Sequence, residues 1–207
     1  MAHQCLAHCS NPKLVSIIDG DITGQNYHYN AYRRVKLTAN VSRAPQTVTN
    51  KAGKKFHIDL HEIKPEGFGG FQYLMIIIND KTRIIQTIPL RTKTAAETTP
   101  KLRALCEEIK LMLPADKYPK YWRMDGGTEF SKFNKWAELQ GIQIELSPPH
   151  THEPNGVAEV YGHYIIQTTC TMIIDSGLPG EMWPHAADTA IYIINCLTNP
   201  KTGKSPL

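Results

Sequence analysis

The chain has 207 residues, of which 41% are hydrophobic and 20% charged. That suits one sizeable domain with a buried core plus a small appendage. No run of about 18 apolar residues occurs, so no membrane span is placed, and the first residues lack the charged-then-apolar profile of a signal peptide. The net charge of +4 is uneven. Residues 1–56 carry eight Lys/Arg against two Asp, a net +6, which leaves −2 for the remainder. A basic arm beside a near-neutral body suits an anionic partner, nucleic acid first, with a solvated tail as the plain alternative. The five cysteines (5, 9, 106, 170 and 196) are odd in number and form no CxxC pair. They read as free thiols in a reducing compartment and not as a disulfide framework.

Residues 1–50 are polar and weakly periodic, read as an appendage and linker, and residues 51–207 as the main domain. From Lys54 the pattern becomes regular. Phe56 to Leu60 alternates like a strand. Phe71 to Ile78 and Arg83 to Leu90 are apolar, β-branched runs, and Asn79-Asp80-Lys81 between them predicts a hairpin. A helix opens at Thr94 or at Thr99-Pro100. It carries Leu102, Leu105, Ile109 and Met112 at helical spacing. Tyr121 to Met124 is a short strand, Glu129 to Leu139 a helix stopped by Gly141, and Ile142 to Leu146 another strand. After Pro148-Pro149 a polar loop runs to Asn155-Gly156. A long helix spans Val157 to Ile174, and a last one carries Trp183, Ala186, Ala187, Ala190, Ile191 and Ile194 on one face. A hairpin meander followed by alternating helices and strands predicts an α/β fold with a mixed sheet.

Three acids stand out. Asp59 lies mid-strand, where Asp is disfavoured. Asp125 ends a strand before two glycines, and Glu159 lies in the first turn of the long helix. Strand ends and helix starts are where α/β folds collect ligands. Carboxylates converging in one cleft repel each other unless a divalent cation joins them, and hard oxygen donors select Mg2+ or Mn2+. Two such ions about 3.5–4 Å apart serve in-line phosphoryl displacement. Taken singly, each acid also fits a surface charge or a helix cap, and Glu159 complements the helix dipole.

The words around these acids carry a resemblance. Phe56-His57-Ile58-Asp59-Leu60-His61, Met124-Asp125-Gly126-Gly127-Thr128-Glu129-Phe130 and His152-Glu153-Pro154-Asn155-Gly156-Val157-Ala158-Glu159 resemble the integrase core of copia-type long-terminal-repeat retrotransposons. So do Asp175-Ser176-Gly177-Leu178-Pro179, Met182-Trp183-Pro184 and Thr202-Gly203-Lys204-Ser205-Pro206. The resemblance covers about residues 54–207. It implies a ribonuclease-H-like three-layer fold with a mixed five-stranded sheet. It also implies a metal triad of Asp59, Asp125 and Glu159 holding two Mg2+ or Mn2+ ions. The implied chemistry is 3′-end processing and strand transfer of element DNA. Asn155 and Gly156 would belong to a loop near the cleft and, with Lys54, Lys55, Arg33, Arg34 and Lys36, contact nucleic acid. Thr128 and Glu129 would support Asp125 or touch DNA. The implied partners are DNA, with RNA as a further candidate, and other copies of the chain on DNA. The implied setting is the nucleus, after a cytoplasmic particle stage. Asp125 and Glu159 stand 34 positions apart, a shorter interval than the family's, the difference falling in the helix before Gly141. The stop at Leu207 reads as a truncation within a longer polyprotein.

His3 and His8 have the spacing of the zinc-binding segment that precedes such cores, but Tyr29 and Tyr32 stand where its two thiolates belong. Tyrosine does not replace a zinc thiolate, so this reads as a degenerate segment with no zinc. Val160, His163, Cys170 and Cys196 stand where the family has Arg, and the long helix holds no Lys or Arg. Cys-to-Tyr and Arg-to-Cys or Arg-to-His changes are single transitions, as in a silenced transposon. Two readings therefore stay open: an active integrase core and a non-catalytic nucleic-acid-binding remnant. The plain expectation for His57, His61, His150 and His152 is surface histidine. For Trp122, Trp136 and Trp183 it is core, and for Cys106 a buried small hydrophobe.

Overall fold

The computed structural model describes residues 51–112, 118–146, 156–199 and 203–207. The basic arm, the residues proposed for zinc (His3, His8) and the nucleic-acid candidates Arg33, Arg34, Lys36 and Asn155 lie outside them. None of the described helices is long and apolar enough to cross a membrane.

Strand β1 runs Lys55–Gly67, β2 Phe71–Asn79 and β3 Ile85–Leu90. Helix α1 (Ala95–Met112) leads to β4 (Tyr121–Met124); a 3-10 turn, Thr128–Phe130, then leads into α2 (Ser131–Leu139) and β5 (Gln143–Leu146). Helix α3 spans Gly156–Ser176, and α4 spans Trp183–Cys196. The sheet order is β3-β2-β1-β4-β5. β1 pairs antiparallel with β2, and β2 with β3, whereas β4 pairs parallel with β1 and with β5. This is the mixed five-stranded sheet the element order predicts.

Both faces are covered. On one face Phe56, Ile58, Met75, Ile77, Trp122 and Met124 pack with Leu102, Cys106 and Ile109 of α1 and Phe133 and Ala137 of α2. On the other, Leu74, Ile76, Ile78 and Ile85 pack with Ala158 and Ile165 of α3 and with Trp183, Ala187, Ile191 and Ile194 of α4. β2 thus sends alternate residues to opposite cores, which is why it reads as one unbroken apolar run. Trp122, Trp183 and Cys106 are buried as expected, and Trp136 packs partly buried against the first core. Burial pushes the Cys106 thiol up to about 12.

Three details differ from the sequence reading. β1 continues seven residues past Leu60, because pairing with β2 persists through Glu62↔Tyr73 and, past an irregularity, Gly67↔Phe71. Backbone hydrogen bonding carries the strand beyond its apolar half, and the charged side chains of Glu62, Lys64 and Glu66 point to solvent. Arg83 opens no strand. It sits in the β2–β3 turn at φ 64, buried, with Nη1 donating to Asp80 Oδ1 at 3.4 Å. The third concerns His57, which is buried, not superficial, with Nε2 3.2 Å from Asp80 Oδ1. A charged turn folded back over a strand satisfies its polar groups internally, which no local pattern signals.

Candidate active site

Strand alternation puts Phe56, Ile58 and Leu60 toward α1 and α2, and His57, Asp59 and His61 toward the face covered by α3. The Asp59 side chain is 23% exposed. Its Oδ1 accepts from the Leu60 N–H at 2.9 Å, and Oδ2 lies 3.1 Å from His61 Nε2. The parallel register of β1 and β4 pairs His57 with Arg123. Continuing it by two residues sets Asp125, the first residue beyond β4, level with Asp59. Asp125 Oδ1 accepts from the Gly127 N–H at 3.2 Å, which pins the turn after the strand. Glu159 stands exposed in the first turn of α3.

The electrostatics join these three acids. Desolvation raises the Asp125 carboxyl above its ordinary value, and the charges of Glu129 and Asp59 add to that while Lys93 opposes it. Glu159 is likewise raised by desolvation and then by Asp59, with His163 and His61 opposing. Asp59 is therefore felt by both other acids. Among the described residues no group of three or more His, Cys, Asp or Glu side chains is close enough to hold a metal ion as it stands. The donor chemistry nevertheless fits a hard divalent cation: three carboxylates from three elements, each partly hydrated, whose mutual repulsion a cation would relieve.

The surroundings of Asp125 were only partly legible. Glu129 is buried, its Oε1 3.0 Å from Lys93 Nζ, and its backbone carbonyl accepts from Thr98 Oγ1 at 2.7 Å. The contact with Glu129 is also the main cause holding Lys93 above its usual value. The Glu129 carboxylate folds beneath Gly127, where a Cβ would collide with it. So Glu129 braces the Asp125 turn from inside and is not offered to solvent, whereas Thr128 is exposed. Sequence reasoning missed Lys93, whose only signal is a cation beside Arg91 in a polar turn.

Among the basic candidates for nucleic-acid contact, Lys55 is buried and donates to Glu145 at 2.6 Å. Lys54 is half-buried with Nζ 5.9 Å from the Tyr121 ring centre. Gly156 is the first residue of α3. His61, read as a surface residue, is only 20% exposed and lies against Asp59 and beneath Gly162.

The mixed five-stranded sheet with helices on both faces is the ribonuclease-H-like fold seen in integrase catalytic cores. Similar solved structures include the HTLV-2 integrase catalytic core domain in complex with magnesium, in a trimeric form. It shares 15% identity and a TM-score of 0.54, over 74% of this chain and 93% of that one. The BIV integrase core gives 11% and 0.53, over 74% and 91%. A simian T-cell lymphotropic virus intasome in complex with the PP2A regulatory subunit B56 gamma gives 14% and 0.57, over 77% and 56%. The homologues by sequence are retrovirus-related Pol polyproteins of transposons. RE1 of Arabidopsis thaliana is 30% identical over 131 residues, 63% of this chain and 9% of that protein. TNT 1-94 of Nicotiana tabacum is 31% identical over 133 residues, 63% and 10%. The resemblance read from the motifs is thereby borne out. The chain spans about a tenth of the length of these curated relatives. No protein-family model matches it.

Proposed function

We propose that this chain is a DNA-integrating catalytic core that joins 3′-hydroxyl ends to a target phosphodiester. What supports this reading is that Asp59 on β1 raises the carboxyls of both Asp125, just past β4, and Glu159, in the first turn of α3. In strand transfer the 3′-oxygen attacks the target phosphorus, the opposite P–O3′ bond breaks, and the leaving oxygen takes up a proton. In end trimming, water is the attacking group. Asp59, Asp125 and Glu159 would hold divalent cations, which supply activation of the attacking hydroxyl and charge neutralisation at the phosphorus. The chain's own part is to fix the three carboxylates. β1 and β4 set two of them in register, Glu129 and Lys93 brace the turn behind Asp125, and α3 presents the third.

The test is a strand-transfer assay with Mn2+ and with Mg2+ on labelled element-end DNA. Joined product is expected from the chain as it stands. Asp59→Asn should lower the rate by at least about a thousandfold, the order seen when one indispensable catalytic group is removed. Joining that survives in Asp59→Asn would overturn the assignment.

A second reading, a non-catalytic nucleic-acid-binding remnant, is favoured by one feature. α3 holds no Lys or Arg, and Lys55 is taken up by Glu145. Each lost phosphate contact flattens the salt dependence of DNA affinity by about one in log–log slope. DNA binding of shallow salt slope with no metal-dependent product would select this reading over the first.

A further inference from the structure

His61 stands two residues beyond Asp59 on β1, so both side chains leave the strand on the α3 face. Its Nε2 lies 3.1 Å from Asp59 Oδ2 but is out of hydrogen-bond alignment with it. That nitrogen is a buried polar atom that makes no hydrogen bond among the described residues, its nearest charged neighbour being the Asp59 carboxylate. Buried polar atoms are normally satisfied, so one left bare beside a carboxylate calls for an explanation.

The helix above is shaped around this ring. Gly162 follows Glu159 by three residues, on the same face of α3. A Cβ there would collide with His61 Nε2 and lie 2.9 Å from Cε1. Any larger residue would displace the imidazole from beneath the helix. The ring is also close enough to Glu159 for its charge to lower that carboxyl. His61 thus lies against Asp59 and beneath Gly162, three residues past Glu159 on α3, with its Nε2 at the Asp59 carboxylate edge.

The spacing has a chemical meaning. Donors on adjacent corners of an octahedron, each about 2.1 Å from the metal, are roughly 3 Å apart. Asp59 Oδ2 and His61 Nε2 stand at that separation. Imidazole nitrogen adds affinity for transition metals and does little for Mg2+, which prefers oxygen and water.

We propose that His61 Nε2 is a further ligand of the divalent-cation site of Asp59, Asp125 and Glu159, making it a mixed nitrogen–oxygen centre that selects Mn2+ over Mg2+. The inference rests on the carboxylate reading above and adds to it a donor and a metal preference.

The test uses the full chain and the metals alone. Bound Mn2+ should show ligand-nitrogen modulation in its electron spin echo, lost in His61→Ala and kept in His163→Ala. Equilibrium titration should show Mn2+ affinity falling about ten- to a hundredfold in His61→Ala, with Mg2+ affinity, read by competition, unchanged. Gly162→Ala should reproduce the Mn2+-selective loss with His61 still present, which separates ligand loss from misfolding of the first variant. Absence of the modulation in the unaltered chain, its persistence in His61→Ala, or an equal loss of both metals would overturn the proposal. If Asp59→Asn abolishes Mn2+ binding in any of those cases, the carboxylate site stands and only the His61 assignment falls. If Asp59→Asn binds Mn2+ as well as the unaltered chain, the carboxylate reading itself fails.

Discussion

Single side chains at this site are held in place by neighbours chosen for what they omit. Gly127 adopts ordinary extended backbone (φ −62, ψ 144), so its requirement is one of space: the buried Glu129 carboxylate lies where a Cβ would go. Gly127→Ala should push Glu129 off Lys93 and cost about 1–3 kcal/mol, the order for disrupting a hydrogen-bonded buried group. Chemical denaturation measures it, and a cost below about 0.5 kcal/mol would show that Glu129 relaxes freely. Asp125 makes the opposite contribution to stability. Its carboxyl is raised in the folded chain, chiefly by desolvation. The folded state therefore holds the proton more tightly than the unfolded one, and ionisation disfavours folding as pH rises through that window. Asp125→Asn should raise Tm at pH 7 in the presence of a chelator, and the gain should shrink as pH falls through the raised value of the folded state and be gone below the ordinary value of 3.8. A Tm that falls at pH 7 would mean the ionised carboxylate is net stabilising.

Among whole elements, the join between α4 and the edge strand β3 is unusual. The Asn195 side chain accepts from the Ile85 N–H at 2.9 Å and donates to the Ile85 carbonyl at 2.8 Å, both buried. The amide thus behaves like a neighbouring strand and closes an edge that would otherwise be bare. Asn195→Ala leaves one buried donor and one buried acceptor unpaired, at about 1–3 kcal/mol each. A loss of about 2 kcal/mol or more in thermal or denaturant unfolding is expected, and Asn195→Asp should not restore it, because a carboxylate cannot donate. The start of α1 adds a pH-dependent element. Burial pushes Glu97 up, but the N–H groups of Arg91 and Thr92, the Thr92 hydroxyl and Lys101 together outweigh it and hold the carboxyl at about 2. That contribution is complete above the ordinary value of 4.5 and is lost as pH falls toward about 2, so Glu97→Gln should destabilise at pH 7 and make little difference near pH 2. These elements were legible in different degrees. The apolar runs of β2 and the stripe of α1 announce themselves by period. The outer half of β1 does not, because its charged run takes strand form alongside β2, paired at Glu62↔Tyr73 and Gly67↔Phe71 on either side of an irregularity. The turn holding Asp80 and Arg83 was hidden for a related reason: buried polar groups that satisfy one another leave no local signature.

At the scale of the molecule, two cores sandwich one sheet, and both close on residues between Phe56 and Ile194. A chain trimmed to residues 51–207 should therefore unfold in one cooperative transition, and separate transitions for the two cores would show that they fold independently. The amino-acid order alone determined the alternation of elements, the covering of both sheet faces, the family resemblance and the three acids. These depend on hydrophobic period and on motif words, which are local properties. Tertiary structure decided what those acids stand among. Parallel pairing of β1 with β4 levels Asp59 with Asp125, and the seating of α3 over that face brings Glu159 and the gap at Gly162 to His61. It also withdrew Lys55 into an ion pair and turned Glu129 inward. Charge and burial are settled by which distant segments share a surface, and that long-range choice is what a reading along the chain cannot supply.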